Sequence, residues 1–225
     1  MRLIAIDAGR TTWLFPFEEI APLEPMVGGQ LTAALVARYS FKGFPAENTP
    51  REELSKNGAK FENGQFLYLD RLVPIGELAV FSDGVVVNSS STEAASAFIE
   101  DLLDYVRSQF RFREFTSRPR KIVASQLIVE FDTPLATLMP TFSKIQGLIA
   151  KETGEVYGAS NPMDFFRLDF QLDKEKSHLE YALPRFTIER RAGVSFSQER
   201  YYCSALLDTQ RHLFILEEME KMISS

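Results

Sequence analysis

The N-terminal stretch IAIDAGRTT, residues 4–12, combines residue types that could contact a phosphate group. In it, a hydrophobic run leads into Asp7, Gly9 and Thr11. A tight turn at a glycine lets backbone N–H groups and a threonine hydroxyl approach a phosphate, and an aspartate at the end of a strand can hold a hydrated magnesium ion. One hypothesis for this chain is therefore a phosphotransferase with a phosphate-binding turn at Asp7–Thr11.

The same residues resemble the first phosphate-binding turn of the actin and hexokinase-like kinase superfamily. The resemblance implies magnesium-dependent nucleotide binding that uses Asp7 and Thr11. It covers this short stretch alone, because the later sequence contains no matching second phosphate-binding loop and no adenosine-binding glycine pair. The alternative is a first strand followed by an ordinary turn. We favour that alternative, since it explains the pattern without a ligand.

Two further groups of residues have types that occur in catalytic sites. Asp164, Asp169 and Asp173 could supply paired carboxylates for acid–base hydrolysis, and Cys203 with His212 could supply a nucleophile and its base. However, charged and apolar positions alternate between residues 164 and 173, as they do on a strand with one solvated face. Cys203 has apolar neighbours, which favours a small core side chain. We therefore assign no catalytic residues.

The chain offers few residues of the types that bind transition metals. It has one cysteine and two histidines, His178 and His212, so a zinc or copper site is not expected and no internal disulfide can form. Its 31 acidic residues keep a magnesium or calcium site possible, but no loop has the ligand spacing of such a site. We predict no metal and no cofactor.

Basic residues are concentrated in residues 107–121, called the basic segment below. The segment holds six basic residues against one acid, Glu114, while the whole chain has a net charge of −6. Together with the rings of Phe110, Phe112 and Phe115, these cations could bind nucleic acid or another polyanion. The alternatives are a solvated surface and charges that stabilise a helix C-terminus, with the rings facing the core. The candidate anion-binding residues are Arg107, Arg111, Arg113, Arg118, Arg120 and Lys121.

Phenylalanine is abundant, with 19 residues. Four of them, Phe15, Phe17, Phe41 and Phe44, lie near prolines in segments whose periodicity does not require burial. Apolar side chains on loops often contact a partner, so these four are the candidate partner-binding residues for another protein or for self-association. The alternative is an extended loop that packs on its own sheet.

Turn and cap signals indicate two hairpins and a long helix. Asn63-Gly64 and Asp83-Gly84 each separate two runs of strand-forming residues and favour the positive φ angles of a tight hairpin turn. The sequence from Ser90 to Glu93 has the spacing of a capping box, and apolar residues then recur at helical spacing up to Phe110. We predict two antiparallel hairpins followed by an amphipathic helix.

The second half of the chain alternates between strand and helix patterns. Strands are predicted over residues 122–131 and 164–173, around Phe186 and Ile188, and over residues 199–206. A helix that Pro140 kinks or divides is predicted to pack through a stripe of apolar residues, and a closing helix is predicted after Asp208. The stripe consists of Leu135, Leu138, Phe142, Ile145 and Ile149.

The first third of the chain has weaker patterns. Residues 30–41 alternate as a strand would, although their alanine-rich first half also fits a helix, and the aromatic residues at the end favour the strand. Thr49-Pro50 indicates a short capped helix that ends at Gly58.

These patterns predict an α+β protein, with a mainly antiparallel sheet covered by about three amphipathic helices. Residues 1–225 are expected to form a single domain, with a possible two-lobe split near residues 114–121. The apolar run at the N-terminus is too short for a signal peptide, and no run is long enough to span a membrane. We expect a cytoplasmic protein that does not contact a membrane and acts as a binding or assembly subunit, through a protein partner or as a homo-oligomer, rather than as an enzyme.

Overall fold

A computed structural model describes residues 1–22, 29–46, 49, 54, 56–138, 140–158, 164–173, 175–176 and 185–224. The chain divides into two compact units. Unit 1 comprises residues 1–7, 126–206 and 210–225, and unit 2 comprises residues 8–125 and 207–209. Strands β1 (Arg2–Leu14) and β5 (Arg120–Glu130) each contribute residues to both units. The dividing point in β5 falls between Ser125 and Gln126.

Unit 2 contains the hairpin strands of the first half of the chain. They are β2 (Ala59–Tyr68), β3 (Arg71–Phe81) and β4 (Gly84–Ser89). Together with β1 and β5 they follow the order β2-β3-β4-β1-β5, and the pairings from β2 through β1 are antiparallel. Its helices with described bounds are α1 (Phe17–Ile20), α2 (Gln30–Tyr39) and α3 (Thr92–Phe110).

The core of unit 2 is rich in aromatic rings. Phe98 of α3 is fully buried, and its ring centroid lies 4.7 Å from that of Tyr39 and 5.5 Å from that of Phe66. Both ring pairs have the edge-to-face geometry that aromatic quadrupoles favour. Much of the phenylalanine content in the first half of the chain therefore packs internally.

The turn between β2 and β3 lies at Leu69-Asp70, where both residues have positive φ (48° and 59°). The predicted turn at Asn63-Gly64 is wrong, because both residues lie inside β2 and Gly64 pairs with Ile75. Gly64 is required for packing instead: a Cβ there would lie 2.5 Å from the ring of Phe41. The hairpin predicted at Asp83-Gly84 is confirmed, with its turn one residue earlier, since Phe81 pairs with Gly84.

Residues 30–39 form α2, so the predicted strand is wrong. Leu31, Leu35 and Tyr39 are spaced four residues apart, and this spacing places them on one face of the helix against the core of unit 2. The same residues therefore fit both the two-residue alternation of a strand and the four-residue spacing of a helix. The helix predicted over residues 49–58 lies mostly outside the described residues.

Helix α3 is formed as predicted, although its N-cap is Ser91 rather than Ser90. The Ser91 hydroxyl accepts a hydrogen bond of 3.1 Å from the backbone N–H of Ala94. Ile99, Leu102 and Val106 of the predicted apolar stripe are buried. The cap and the stripe together account for the start and the orientation of this helix.

Unit 1 contains the strands of the second half of the chain. They are β6 (Arg167–Phe170), β7 (Phe186–Arg190) and β8 (Arg200–Ala205), in the order β1-β5-β8-β7-β6. A 3-10 turn at Leu135–Leu138 precedes α4 (Pro140–Tyr157), so the predicted helix is divided at Pro140. The closing helix is α5 (Thr209–Ser224). Leu127, Ile188, Tyr201 and Leu216 are fully buried in the core of this unit.

The α+β class and the antiparallel sheet predicted from the sequence are confirmed, with eight strands in the part of the chain that the structure describes. The described residues form five α-helices rather than about three, because α1 and α2 were not predicted. Within this part of the chain, no helix combines the length and the apolar character needed to cross a membrane.

Candidate functional site

The phosphate-binding turn considered as a hypothesis at Asp7–Thr11 does not form, because β1 runs without a break from Arg2 to Leu14. Gly9 lies inside the strand, where a Cβ would come within 2.0 Å of the Ser91 backbone. Thr11 is fully buried, and its hydroxyl donates a hydrogen bond of 3.1 Å to the carbonyl oxygen of Thr92. The glycine and the threonine therefore serve the packing of β1 against the start of α3. Asp7 is exposed.

Two cations of the basic segment are engaged with other groups of unit 2. Arg107 forms ion pairs with Asp104 (3.3 Å) and Glu114 (3.1 Å). Arg113 donates to the carbonyl oxygens of Glu18 and Ala21, the latter at 2.8 Å, and so satisfies acceptors at the end of α1. These contacts hold the basic segment against the rest of unit 2.

The remaining cations of the basic segment differ in their surroundings. Lys121 places its Nζ 3.7 Å from the centroid of the Trp13 ring and 3.4 Å from the Glu100 carboxylate. Arg111 has a left-handed backbone at the end of α3, and Arg120 is the first residue of β5. Arg118 is exposed. Three of the six cations, Arg107, Arg113 and Lys121, are therefore engaged with groups of unit 2, and anion binding by the basic segment stays a prediction.

The rings expected to stack on bases are packed in unit 2. Phe112 is 7% exposed, and Phe110 and Phe115 are partly buried against the same core. Phe115 lies edge-on to Phe15 at 5.0 Å, and Phe112 lies edge-on to Phe17 at 5.8 Å. The three rings therefore face the core of unit 2, as in the alternative to base stacking.

Three of the four candidate partner-binding phenylalanines also belong to this core. Phe15 and Phe41 are buried, and Phe17 packs partly buried against them. Phe44 is 53% exposed. The core takes up these rings because β1, β2 and the segments that follow β1 and α2 enclose one aromatic cluster. Of the four, Phe44 alone presents a ring to solvent.

An apolar cavity of about 190 Å³ lies within the core of unit 2. Its walls include the side chains of Phe17, Leu31, Leu102 and Phe112, and Thr32 adds a hydroxyl. This volume is below the range of typical ligand pockets, and one hydroxyl gives little to orient a ligand. Its lining therefore gives a ligand apolar contacts but no set of polar groups that would orient it.

Cys203 and His212 lack the properties of a nucleophile and a base. Both side chains are fully buried in unit 1. Burial raises the pKa of the Cys203 thiol to about 12, whereas a reactive cysteine needs a lowered pKa. Burial also lowers the pKa of His212 to about 4. Both groups are therefore neutral core side chains at pH 7.

The three aspartates considered for hydrolysis each have a cation beside them. Asp169 accepts hydrogen bonds from Arg167 (2.9 Å) and Thr187 (2.8 Å), and the Arg167 bond is the main cause of its lowered pKa. Asp164 lies 3.1 Å from Arg190, and Asp173 lies 3.1 Å from Lys176. Each aspartate is thus engaged in an ion pair, and Arg190 Nη2 lies 3.0 Å from a second carboxylate, that of Glu199.

Helix α4 presents a group of large apolar side chains to solvent. Ile145 is 46% exposed, Leu148 60%, Ile149 42% and Val156 73%. With about 100° of rotation per residue, these four side chains fall within an arc of about 100°. We call them the α4 face. The prediction that Ile145 and Ile149 pack is wrong for this chain on its own.

The opposite side of α4 is turned toward the rest of unit 1. Gln146, Ala150 and Thr153 are partly buried, and the Gln146 amide donates a hydrogen bond of 3.5 Å to Asp164. An amphipathic helix normally buries its apolar side, so this orientation is the reverse of the usual one. The sequence showed the stripe but not the direction in which it would point.

A second exposed apolar group lies at the turn between β2 and β3. Leu67 is 62% exposed, Leu69 77% and Leu72 69%. The sequence pattern did not indicate this group, because Asn63-Gly64 predicted the hairpin turn at another position. Asp70 is the signal that could have identified the turn, since turn positions with positive φ usually carry Gly, Asn or Asp.

Among the described residues, no group of three or more His, Cys, Asp or Glu side chains is arranged to hold a metal ion. No protein-family model matches the chain, and the search of curated proteins gave no match.

Proposed function

We propose that this chain is a non-enzymatic binding or assembly subunit that acts through protein–protein contacts. The observation that supports the proposal most strongly is the α4 face, in which four large apolar side chains on one helix point to solvent. Burying a leucine or isoleucine side chain fully contributes about 1.5–3 kcal/mol, so a partner that covers this face gains several such contributions.

The charge pattern around the α4 face also fits a protein partner. Charged residues border the apolar arc, among them Lys144, Lys151 and Glu155. Interfaces between proteins commonly combine an apolar centre with a polar rim. The exposed leucines at the β2–β3 turn offer a smaller apolar surface on unit 2.

The proposal is tested by photo-crosslinking in cells that produce the chain. A photoreactive amino acid is placed at Leu148, and a matched variant carries it at Glu217, an exposed polar position on α5. We expect one discrete crosslinked protein product from position 148 and none from position 217. The product should disappear in the double variant Ile145→Ser/Ile149→Ser, provided that the variant retains the wild-type circular dichroism spectrum.

The absence of a discrete product at position 148 would contradict the proposal. So would a product that survives the double substitution, because it would not depend on the α4 face.

A further inference from the structure

We infer that the apolar cavity in the core of unit 2 is a binding site for a compact hydrocarbon group of about six to eight carbon atoms. The cavity has a volume of about 190 Å³. The inference does not rest on the proposed function, because it concerns the interior of unit 2, whereas the α4 face belongs to unit 1. It is carried by the lining of the cavity, by its size and by the burial of its walls.

The lining of the cavity determines the chemistry of the group that can fill it. The cavity surface is almost entirely apolar, and the Thr32 hydroxyl is the one polar side-chain group among the described residues that line it. A buried water molecule needs about two to four polar partners, so water is held poorly there. A charged or strongly polar ligand would lose its hydration without finding partners that replace it. The site therefore selects an uncharged, apolar group.

The volume of the cavity sets the size of that group. A dry cavity of about 150 Å³ with leucine, isoleucine and phenylalanine walls binds a benzene molecule. The unit 2 cavity has walls of the same kind, among them Ile20, Leu35 and Phe61, and is somewhat larger. It therefore fits a ring slightly larger than benzene, such as toluene, or an alkyl chain of about the same carbon count.

The deep walls of the cavity would gain contacts from such a ligand. The side chains of Ile20, Leu35, Phe61, Val85 and Leu102 line the cavity, and each is at most 5% exposed. Atoms that face a void lack dispersion attraction on that side, and a hydrocarbon that fills the void supplies it. Apolar contact of this kind is not directional, so the ligand needs no hydrogen bond to orient it.

Another part of the wall lies close to the protein surface. It consists of lining residues that are only partly buried, namely Phe17, Leu31, Thr32, Ala59 and Val80. Because these side chains still touch solvent, a ligand has a short path past them. The hydrocarbon group can then come from two sources. One is a free small molecule, and the other is the end of a longer fatty acyl chain whose polar head stays in water.

The first test is thermal melting of the full chain with toluene and, separately, with sodium octanoate. A ligand that binds only the folded chain raises the melting temperature, whereas one that prefers the unfolded chain lowers it. We expect toluene near saturation to raise it by about 2 °C or more, with a dissociation constant of about 0.1–1 mM. A rise with toluene alone identifies free small molecules as the ligands, and a rise with octanoate identifies the end of an acyl chain.

The second test uses substitutions that fill the cavity. Ala59→Leu and Val80→Phe each add bulk to a partly buried wall, so each should reduce the ligand-induced rise to less than about half of the wild-type value. Ala124→Leu repeats the alanine-to-leucine change at a partly buried position of β5 in unit 2, away from the cavity lining. It is the matched control and should keep the wild-type rise. The two filling variants are independent, so one decides if the other does not fold.

Methyl NMR signals locate the ligand directly. The signals of Leu102 and Val106, which line the cavity, should move when the stabilising probe is added. Movement confined to other methyl groups would overturn the inference, and so would an equal rise in melting temperature in the wild type and the filling variants, because the ligand would then bind elsewhere. No rise with either probe would overturn it as well. None of these results bears on crosslinking from position 148, so this inference and the proposed function fail separately.

Discussion

Thr92 and Thr209 cap each other across 117 positions of sequence. The backbone N–H of Thr209 donates to the Thr92 hydroxyl oxygen at 2.9 Å, and the backbone N–H of Thr92 donates to the Thr209 hydroxyl oxygen at 3.2 Å. Both side chains are almost fully buried in unit 2. The first residues of α3 and α5 are thus held together by hydrogen bonds that water cannot replace.

Replacing either threonine by valine should destabilise the chain by about 1–3 kcal/mol, since valine keeps the shape but leaves a buried N–H without an acceptor. The double variant Thr92→Val/Thr209→Val should cost less than the sum of the single variants, because the two hydroxyls also contact each other at 3.1 Å. Urea unfolding gives each free energy. Thr12→Val, in the partly buried part of β1, is the control, and strict additivity would contradict the contact between the two hydroxyls.

Regular periodicity predicted the elements that pack on one face. The stripe of α3 and the strand pattern of β5 each fit one period, and Ile99 of α3 and Leu127 of β5 are buried. Residues 30–39 fit two periods at once, and the helical one prevailed because Leu35 and Tyr39 enter the core of unit 2 from one side. Local pattern cannot decide between two periods when tertiary packing makes the choice.

The candidate site was predictable only in part. The sequence contained the apolar stripe of α4, but a stripe shows that a helix has an apolar side and not what covers it. For the basic segment, the sequence showed the charges but not the groups that they contact. Arg107 and Arg113 contact acceptors on residues that the fold brings near them.

Leu69 is in a backbone conformation that leucine rarely adopts, with φ of 48°. Leu69→Asn should raise the free energy of unfolding by about 1 kcal/mol, because asparagine tolerates the left-handed region better and the exposed leucine contributes little to the core. Thermal melting measures the gain. Leu72→Asn, in the following strand, is the control and should give no such gain. A lower melting temperature for Leu69→Asn than for the wild type would contradict this account.

Cys203 should not react with thiol reagents in the folded chain. Its side chain is fully buried, and burial raises its pKa to about 12, so the reactive thiolate is scarce and inaccessible. Mass spectrometry after incubation with iodoacetamide should show no label on the folded protein and one label after unfolding in guanidinium. Glu217→Cys, which places a thiol on the exposed side of α5, should be labelled at once. Rapid labelling of the folded wild type would show that Cys203 is accessible.

His212 should make stability depend on pH. Burial lowers its pKa in the folded chain to about 4 from an unfolded value of 6.5, so the unfolded chain binds a proton that the folded chain does not. As the pH falls from 6.5 through 4, this group should remove up to about 3 kcal/mol of stability, and the contribution is fully present above pH 6.5.

The comparison of variants isolates that contribution. In urea unfolding at several pH values, His212→Gln should have a shallower slope of stability against pH than the wild type between pH 4 and 6.5. Gln210→Ala, at an exposed position of α5, removes no titratable group and is the matched control, with the wild-type slope expected. Equal slopes for wild type and His212→Gln would show that the pKa of His212 is not lowered.

Arg190 and Glu199 form a buried ion pair in unit 1, with a distance of 3.0 Å between Arg190 Nη2 and Glu199 Oε1. Glu199 also accepts a hydrogen bond of 2.5 Å from the buried Tyr201 hydroxyl, and Arg190 donates to the carbonyl oxygen of Phe196 at 2.8 Å. Arg190→Met should destabilise the chain by about 3–5 kcal/mol, because the carboxylate of Glu199 would remain buried without its cation.

The double variant Arg190→Met/Glu199→Met should recover part of that loss, since it removes the unpaired charge and fills the space with apolar atoms. The arginine of the surface pair between Arg2 and Glu130 is 65% exposed, so Arg2→Met is the matched control and should change stability little. Chemical denaturation of the four proteins measures these differences. If Arg190→Met and Arg2→Met had equal effects, the buried pair would not be a stabilising contact of unit 1, and the segment between β7 and β8 would be held by its backbone hydrogen bonds alone.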